Sequence, residues 1–285
     1  MPLVSVLTTC YKRADLLPDT IRSVLASSWE DFEYIIVDDA SPDDSFKIAL
    51  DAAQRDKRVK AYRNDVNLGD YPNRNKAVSL ATGKYIKFVD HDDMIYSHGL
   101  RVFVESMEKF PTAGFGLSAD GDGAHPYPDL LQPNESFHKH YFERELFGRA
   151  PGSAIVRLDA FRAVGGFSGR RFIGDAELWF KLAARFPLVR LVRDLTWDRS
   201  TGDEKESVME ARNSNNQEVR IQFTFDRILE NQFLSSQEKE LVIKQYKKEL
   251  LKAALYKSYK QRSVYPLSHT LSLIKKARLN AGAGA

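Results

Sequence analysis

The chain has 285 residues, of which 43% are hydrophobic and 28% charged, so its composition is that of a globular protein and not of a disordered or fibrous one. No stretch approaches the roughly 18 consecutive apolar residues of a membrane span, and the N-terminus lacks the basic and apolar regions of a signal peptide. We therefore expect a cytoplasmic protein. The single cysteine, Cys10, excludes an intrachain disulfide and a cysteine-based zinc cage.

Basic residues are concentrated near the C-terminus. Residues 244–278 contain ten Lys or Arg and one acid, a net charge of +9, whereas the whole chain carries only +3, so the other residues sum to −6. Such a tail is typical of a membrane-surface contact, a nucleic-acid partner or a solvated helix face. We expect no nucleic acid, because the tail lacks aromatic residues placed on a sheet for base stacking.

Short apolar runs alternate with helical patterns through the first half of the chain. Strands are predicted at residues 3–8, 34–37, 59–62 and 85–89, with helices between them. This β-α-β-α order predicts an α/β fold with a Rossmann-like, mostly parallel sheet flanked by helices. Further along, a strand is predicted at residues 154–156 and helices at residues 159–164 and 176–185.

From about residue 215 the pattern is helical only, with helices predicted at residues 218–234, 237–261 and 268–278. We therefore predict a nucleotide-sugar-binding and catalytic domain at residues 1–205, a basic helical extension at 206–280 and a disordered end at 281–285. The extension carries an apolar stripe formed by Leu241, Ile243, Leu250, Leu251, Ala254 and Leu255. It would pack on the catalytic domain, join a second copy into a homo-oligomer, or lie peripherally on an anionic membrane surface.

Polar residues follow the predicted strands, at the edge of the sheet where parallel α/β folds bind ligands. Asp38 and Asp39 follow the second strand, and Asp90, Asp92 and Asp93 follow the fourth. Three carboxylates in four residues repel one another unless a cation lies among them, and hard oxygen ligands suit Mg²⁺ or Mn²⁺. Taken alone, this segment is more simply a solvated acidic turn.

Six motifs in one order change that interpretation. They are VSVLTTCYKR from Val4, VDDAS from Val37, NLG from Asn67, NRNKA from Asn73, KYIKFVDHDD from Lys84, and GGF from Gly165 with GDAELW from Gly174. With these motifs the chain resembles the inverting nucleotide-sugar glycosyltransferases of family two, which have the GT-A fold. The resemblance spans residues 3–196.

The resemblance implies a set of nucleotide-binding residues: Thr8, Tyr11, Arg13, Asp39, Arg74 and Asp90. Asp39 would bind the base. Uracil and thymine each present an N3–H donor that a carboxylate can accept, whereas cytosine does not, so the donor would be a UDP- or dTDP-sugar. Asp90 and Asp92 match the family's D-x-D metal motif, with Asp92 the direct ligand of Mn²⁺ or Mg²⁺ and Asp90 nearer the ribose.

The resemblance also implies a catalytic base. Family members carry a Glu-Asp pair at a helix start; here Gly174 replaces the first acid, and Asp175 remains as the expected base. A helix N-terminus favours its ionised form. In the alternative, Asp175 only caps the helix, and Glu177 is a weaker candidate for the base.

A second departure concerns the metal. Many relatives supply a histidine after this helix, but the segment Trp197-Asp198-Arg199-Ser200-Thr201-Gly202 contains none. Either Asp198 or Arg199 takes its place, or the metal keeps an extra water, which leaves the strength of metal dependence open.

Together these features predict a metal-assisted single displacement that moves a sugar from a UDP- or dTDP-sugar to a hydroxyl of a glycan or lipid-linked acceptor. The alternative is a catalytically inactive protein with the same fold that binds a glycan or lipid surface.

Overall fold

The computed structural model describes residues 2–118, 126–199 and 214–282. Part of the predicted segment from Trp197 to Gly202 and the last three residues of the predicted disordered end lie outside these ranges, whereas Ala281 and Gly282 belong to the last helix. The chain forms two compact units. One comprises Met1–Ser136 and Glu145–Ser200 and is called the sheet unit; the other comprises Phe137–Arg144 and Thr201–Ala285 and is called the helical unit.

The sheet unit is built on an eight-stranded sheet. Its strands are β1 (Val4–Cys10), β2 (Phe32–Asp38), β3 (Val59–Arg63), β4 (Tyr85–Phe88), β6 (Phe115–Ser118), β7 (Asp129–Leu131), β8 (Ala154–Arg157) and β9 (Leu188–Leu191), in the order β3-β2-β1-β4-β8-β6-β9-β7. Strands β1 to β4 are parallel neighbours, whereas β8 and β7 run antiparallel to the strands beside them. A separate two-stranded sheet joins β5 (Met94–Ile95) to β10 (Thr196–Trp197).

The helices of the sheet unit are α1 (Leu17–Leu25), α2 (Ser45–Arg55), α3 (Asp70–Ser79), α4 (Gly99–Lys109), α6 (Leu158–Ala163) and α7 (Gly174–Ala183). Helix α5 (Pro133–His138) begins in the sheet unit, and its last two residues belong to the helical unit. A 3₁₀ turn spans Pro151–Ser153. Every residue of β1, β2 and β4 is buried, which explains why these strands are continuous apolar runs in the sequence. The main core lies where Val6 and Ile36 of the sheet meet Leu17 and Phe103 of the helices.

The helical unit contains a π-helical turn (Lys139–Glu143) and three long helices, α8 (Ser214–Leu229), α9 (Ser236–Gln261) and α10 (Tyr265–Gly282). A capping box between Ser235 and Glu238 begins α9. Of the predicted apolar stripe, Ala254 is buried and Ile243 and Leu250 pack on the unit's core, whereas Leu241 and Leu255 are exposed. No helix in the described part of the chain is long and apolar enough to cross a membrane.

The predicted fold class is confirmed, because a mostly parallel sheet flanked by helices precedes a helical C-terminal region. The four predicted parallel strands occur within two residues of their expected bounds. The structure adds several elements that the sequence analysis missed, namely α4, α5, β5, β6, β7, β9 and β10.

A buried carboxylate holds three of these strands in place. Glu33 Oε1 accepts hydrogen bonds from the Ser5 hydroxyl (2.6 Å) and from the Thr82 N–H (2.7 Å), and Oε2 accepts one from Lys60 Nζ (2.6 Å). Burial alone would raise the pKa of Glu33, but Lys60, Ser5 and Thr82 together lower it to about 2. Gly83, which follows Thr82 in the chain, approaches β1 so closely that a Cβ on it would lie 2.7 Å from the Ser5 nitrogen.

We expect Glu33→Gln to lower the free energy of unfolding by about 2–3 kcal/mol near neutral pH, because it weakens several charge-assisted hydrogen bonds. The folded pKa lies below the ordinary value of 4.5, so this stabilisation is complete above that value and is lost as the pH falls towards 2. Urea unfolding at a series of pH values measures it, with the exposed Glu30→Gln as control. A difference between wild type and Glu33→Gln that does not shrink in acid would contradict this account.

Candidate active site

The residues that follow β1, β2 and β4 lie together at one edge of the sheet. The Asp39 N–H donates to the Cys10 carbonyl (2.9 Å), and His91 Nδ1 lies 2.9 Å from the Thr9 carbonyl oxygen. The Lys12 N–H donates to the Ser41 hydroxyl (3.0 Å). These bonds join three strand ends into one surface, as expected for parallel neighbours.

The three residues expected from β1 differ in position. The Thr8 hydroxyl lies inside the sheet, where it donates to the Val89 carbonyl (2.7 Å) and lies 2.9 Å from the Tyr34 hydroxyl. Tyr11 is on the following loop and is 39% exposed. The Arg13 N–H bonds to the hydroxyl of the first residue of α2 (2.9 Å). Tyr11 and Arg13 therefore lie in the loop at the site, while Thr8 lies beneath it.

Asp39 is buried and organises the loop that precedes α3. Its Oδ1 accepts from the Leu68 N–H (2.9 Å) and from Asn64 Nδ2 (2.7 Å), and its Oδ2 accepts from the Gly69 N–H (2.9 Å). Gly69 has φ of +85°, a conformation that favours glycine. A carboxylate offers about four acceptor positions, so one on Oδ2 remains for a ligand donor.

Arg74 is a buried cation between two carboxylates. Its Nε donates to Asp70 Oδ1 (2.7 Å) and its Nη1 to Asp90 Oδ1 (2.6 Å), and the guanidinium lies over the Phe88 ring at 5.5 Å. Although burial disfavours the charge, Asp90 and Asp70 hold the pKa of Arg74 well above its usual value. Burial would likewise raise the pKa of Asp90, but Arg74 keeps it below the ordinary range.

The carboxylates of the acidic turn after β4 differ in their burial and in their neighbours. The Asp93 N–H donates to the Asp90 carbonyl (3.0 Å), and burial with the neighbouring Asp90 charge raises the pKa of Asp93 to about 7. The Asp92 side chain is 24% exposed, and its Oδ2 lies 3.8 Å from His91 Nε2. Within the described ranges, no three His, Cys, Asp or Glu side chains are grouped as a preformed metal site. A cation there would need further oxygens from its substrate.

The structure places a second buried cation behind this turn. Lys87 is fully buried in β4, and its Nζ donates to the carbonyls of Phe88 (2.8 Å) and Gly152. Burial lowers the pKa of this lysine to about 7, against the opposing influence of Asp90 and Asp93. No role was predicted for Lys87 from the sequence. The feature that could have identified it is a lysine inside an otherwise apolar strand, where charged residues are rare.

The segment expected to replace the family histidine also reaches the acidic turn, because β10 pairs with β5. The Arg199 N–H donates to Asp93 Oδ1 (3.1 Å), and its Nη2 donates to Asp19 Oδ2 (2.9 Å). Asp198 raises the pKa of Asp93 by its negative charge. Of the two candidates, Arg199 therefore contacts the turn directly and brings a positive charge.

Asp175 lies in the first turn of α7 without capping it. The N-cap residue is Ile173, and no side chain makes a cap hydrogen bond there. Asp175 Oδ1 is buried and has no hydrogen-bond partner. Burial raises the pKa of Asp175 to about 7, with Arg74 and a hydrogen bond from Tyr71 acting in the opposite direction. The helix start thus holds a half-buried carboxylate with high proton affinity and one free oxygen.

Tyr71 fills the space beside the missing family acid. A Cβ on Gly174 would lie 2.6 Å from Tyr71 Cζ and within 2.9 Å of two other ring atoms. The ring is stacked on Phe167 at a centroid distance of 5.2 Å, so it cannot easily withdraw. Glu177 is separate from this group, because it bonds to the Ser168 hydroxyl and lies 3.8 Å from Arg170 and Lys181.

Comparison with known proteins assigns the family. The family model described as Glycosyl transferase family 2 matches residues 5–172. The chain belongs to this family. The family membership expected from the motifs is thereby confirmed.

Two relatives illustrate the likeness. The chain is 37% identical over 139 residues to "Putative teichuronic acid biosynthesis glycosyltransferase TuaG" of Bacillus subtilis, covering 47% of this chain and 54% of that protein. It is 32% identical over 149 residues to "Uncharacterized glycosyltransferase EpsJ" of the same organism, covering 51% and 43%. The chain therefore spans about half the length of these relatives.

Solved structures show the same fold. S. aureus TarS 1-349 in complex with UDP-GlcNAc superposes with a TM-score of 0.65 at 16% identity, covering 84% of this chain and 70% of that chain. The mannosyltransferase PcManGT of Pyrobaculum calidifontis, in complex with GDP-Man and Mn²⁺, gives 0.58 at 15% identity, covering 99% and 78%. These likenesses confirm the predicted GT-A fold.

We expect Gly174→Ala to lower the free energy of unfolding by about 1–3 kcal/mol, because the new methyl group overlaps the Tyr71 ring. In a Tyr71→Ala background the same change should cost little or stabilise, since alanine is the better helix former. Urea unfolding of the four proteins in this cycle gives the coupling. An equal cost in both backgrounds would show that the ring is not the obstacle.

Proposed function

We propose that this chain transfers a sugar from a UDP- or dTDP-sugar to a hydroxyl group of a glycan or lipid-linked acceptor, with inversion at the anomeric carbon. The observation that carries the proposal is the half-buried Asp175 carboxylate, whose free Oδ1 lies in the environment of the Arg74–Asp90 pair. TarS, which has the same fold, was solved with UDP-GlcNAc, and TuaG is named for teichuronic acid biosynthesis. The first supports a nucleotide-sugar donor, and the second supports a polysaccharide acceptor.

The nucleotide would bind along the ends of β1, β2 and β4. The remaining acceptor position of Asp39 would take the N3–H of uracil or thymine, in a loop already fixed by Leu68 and Gly69. Tyr11 and Arg13 would line the pocket from the β1 loop. Thr8 would act from below, by holding the end of β1 against Val89.

The acidic turn fits a divalent cation by its donor chemistry. Asp92 and the second oxygen of Asp90 are hard ligands at the site, and the diphosphate of the donor would complete the coordination of Mg²⁺ or Mn²⁺. PcManGT, which was solved with GDP-Man and Mn²⁺, supports this use of metal. When bound, the cation would neutralise the departing diphosphate. Arg199, beside Asp93, would add positive charge where relatives have a histidine.

Asp175 would act as the general base. Its carboxylate takes the proton of the acceptor hydroxyl as that oxygen bonds to the anomeric carbon, and the bond from this carbon to the nucleoside diphosphate breaks with its electron pair leaving on the diphosphate. Attack opposite the leaving group inverts the anomeric centre. A pKa near 7 suits a base that works near neutral pH. Tyr71 would hold the carboxylate in place through its hydroxyl.

The alternative is a catalytically inactive protein with this fold, and it rests on Gly174 and on the missing histidine. Incubation with a panel of UDP- and dTDP-sugars and Mn²⁺ separates the two functions. The transferase releases nucleoside diphosphate when acceptor is present and slowly with water alone. The inactive protein binds donors without releasing any.

We expect Asp92→Asn to remove most of the metal-dependent part of UDP binding while the protein stays folded. Loss of an outer-shell partner already lowers metal affinity by about 10–100-fold, so loss of a ligand should weaken UDP binding in Mn²⁺ by tenfold or more. Calorimetric titration with and without Mn²⁺ measures the change. The matched control is Asp51→Asn, at an exposed position of α2. Unchanged affinity in Mn²⁺ would remove Asp92 from the metal site.

We expect Asp175→Asn to lower kcat by about 10²–10⁴-fold and to leave nucleotide affinity unchanged, because a positioned base contributes that much. In the wild type, kcat/KM should fall as the pH drops below about 7, because protonated Asp175 cannot accept a proton. The Asn variant should lose this dependence. Wild-type turnover in the Asn variant would refute the assignment, and Glu177→Gln is the matched control.

Tyr71→Phe tests the positioning role with the ring still in place beside Gly174. The lost hydrogen bond favours ionised Asp175, so its removal should move the acid limb of the pH profile to higher pH. Nucleotide affinity should not change. An acid limb at the wild-type pH would mean that Tyr71 acts only by packing.

A further inference from the structure

The helical unit has a cavity of about 400 Å³, open to solvent, between its three long helices. Its apolar side is formed by Ile221 of α8 and by Leu250 and Ala254 of α9. Arg220 and Lys257 also line it, and no acidic residue does. The volume falls in the range of small-molecule sites, and the lining combines an apolar wall with positive charge.

The polar groups of this cavity lack partners that would neutralise them. His269 Nε2 is buried without a hydrogen-bond partner, and its ring is stacked on Tyr265 at 5.4 Å. Neither Arg220 nor Lys257 forms an ion pair with another residue of the described chain. The two cations are exposed and keep their hydration, whereas the buried ring nitrogen has no partner. An anion with several acceptor oxygens would pair with the charges and accept a hydrogen bond from the ring at once.

One end of the cavity lies at the turn between α9 and α10, where large side chains are exposed. Tyr259 is 83% exposed, Val264 81% and Tyr265 62%, and Tyr265 also lines the cavity. Lys260 lies in the last helical turn of α9 and Arg262 follows it, and the sequence contains no acidic residue after Glu249. Exposed tyrosines flanked by basic residues are typical of a bilayer interface.

We propose that this cavity binds the phosphate headgroup of an anionic phospholipid while the α9–α10 turn lies in the bilayer interface. Arg220, Lys257 and His269 would contact the phosphate, and the wall at Ile221 would contact the adjoining apolar part of the lipid. A free phosphate would use the cations but neither the apolar wall nor the exposed turn. The inference does not depend on sugar transfer, because it concerns binding by the helical unit alone.

Headgroup binding in the cavity would bring the membrane to the α9–α10 end of the helical unit and not to the other lysine-rich face of α9. That face contains Lys244, Lys248 and Lys252, with Glu249 among them. Diffuse attraction to an anionic surface would use both places equally, since each lysine near such a surface contributes similarly. Specific headgroup binding depends on Arg220 and Lys257, the two cations that line the cavity. Two double variants with the same change of charge therefore separate the two modes.

The experiment measures co-sedimentation of the full chain with vesicles of phosphatidylglycerol and phosphatidylcholine, compared with phosphatidylcholine alone. We expect binding only to the anionic vesicles, a loss of about tenfold or more in Arg220→Gln/Lys257→Gln, and a change within about twofold in Lys244→Gln/Lys248→Gln. Circular dichroism confirms that both double variants are folded. Equal losses in the two double variants, or no binding by the wild type, would overturn the proposal.

Two further arms exclude other occupants. Inorganic phosphate and glycerol phosphate are titrated calorimetrically, and tight binding of either without vesicle binding would assign the cavity to a soluble anion. Tyr259→Ser, at an exposed position, should weaken vesicle binding because the side chain lies in the interface. If Tyr259→Ser instead turns a dimer into a monomer and leaves vesicle binding unchanged, the turn contacts a second copy and the lipid assignment is wrong.

Discussion

The ion pairs of Arg74 are the interaction on which the rest of the site depends. Asp70, Asp90 and Asp175 all lie close enough to Arg74 to influence its pKa. Asp70 is exposed, whereas Asp90 and Asp175 are partly buried, where two negative charges repel each other more strongly than in water. The guanidinium donates hydrogen bonds to Asp70 (2.7 Å) and to Asp90 (2.6 Å). Because its fork is rigid, it also fixes the distance between α3 and the acidic turn after β4. The third carboxylate, Asp175, is left with its proton affinity raised.

The departure at Gly174 has a steric origin within the same group. Tyr71 follows Asp70 in the first turn of α3, and its ring occupies the volume that a side chain at Gly174 would need. An acid at position 174 would therefore require a smaller residue at position 71. Glycine at position 174 brings no charge to this crowded region, and the neighbouring Tyr71 hydroxyl lowers the pKa of Asp175. The two positions are understood only as a pair, which a motif read along the sequence does not reveal.

The sequence predicted strands β1 to β4 and β8, but not β6, β7 and β9 at the far side of the sheet. Strands β1, β2 and β4 are buried throughout, so each is a continuous apolar run with a local signal. Strands β7 and β9 have three and four residues and are defined by pairing with distant segments, which short runs do not disclose. Helix α4 was missed although Leu100, Phe103, Val104 and Met107 have helical spacing. The family motifs contain the residues that lie together at the strand ends, but they assigned no role to the buried Lys87 and did not disclose the contacts that Asp39 makes with its neighbouring loop.

The environments of the carboxylates decide which of them can serve as a base. Asp90 is paired with Arg74, which keeps its pKa low, so it stays ionised but binds a proton weakly. Asp93 also has a pKa of about 7, but its Oδ1 already accepts a hydrogen bond from the Arg199 N–H. Asp175 combines a pKa of about 7 with a free oxygen. Environments that separate the proton affinities of neighbouring acids separate their roles, and here Asp175 has both the raised pKa and the unpartnered acceptor oxygen on which the proposed role as base rests.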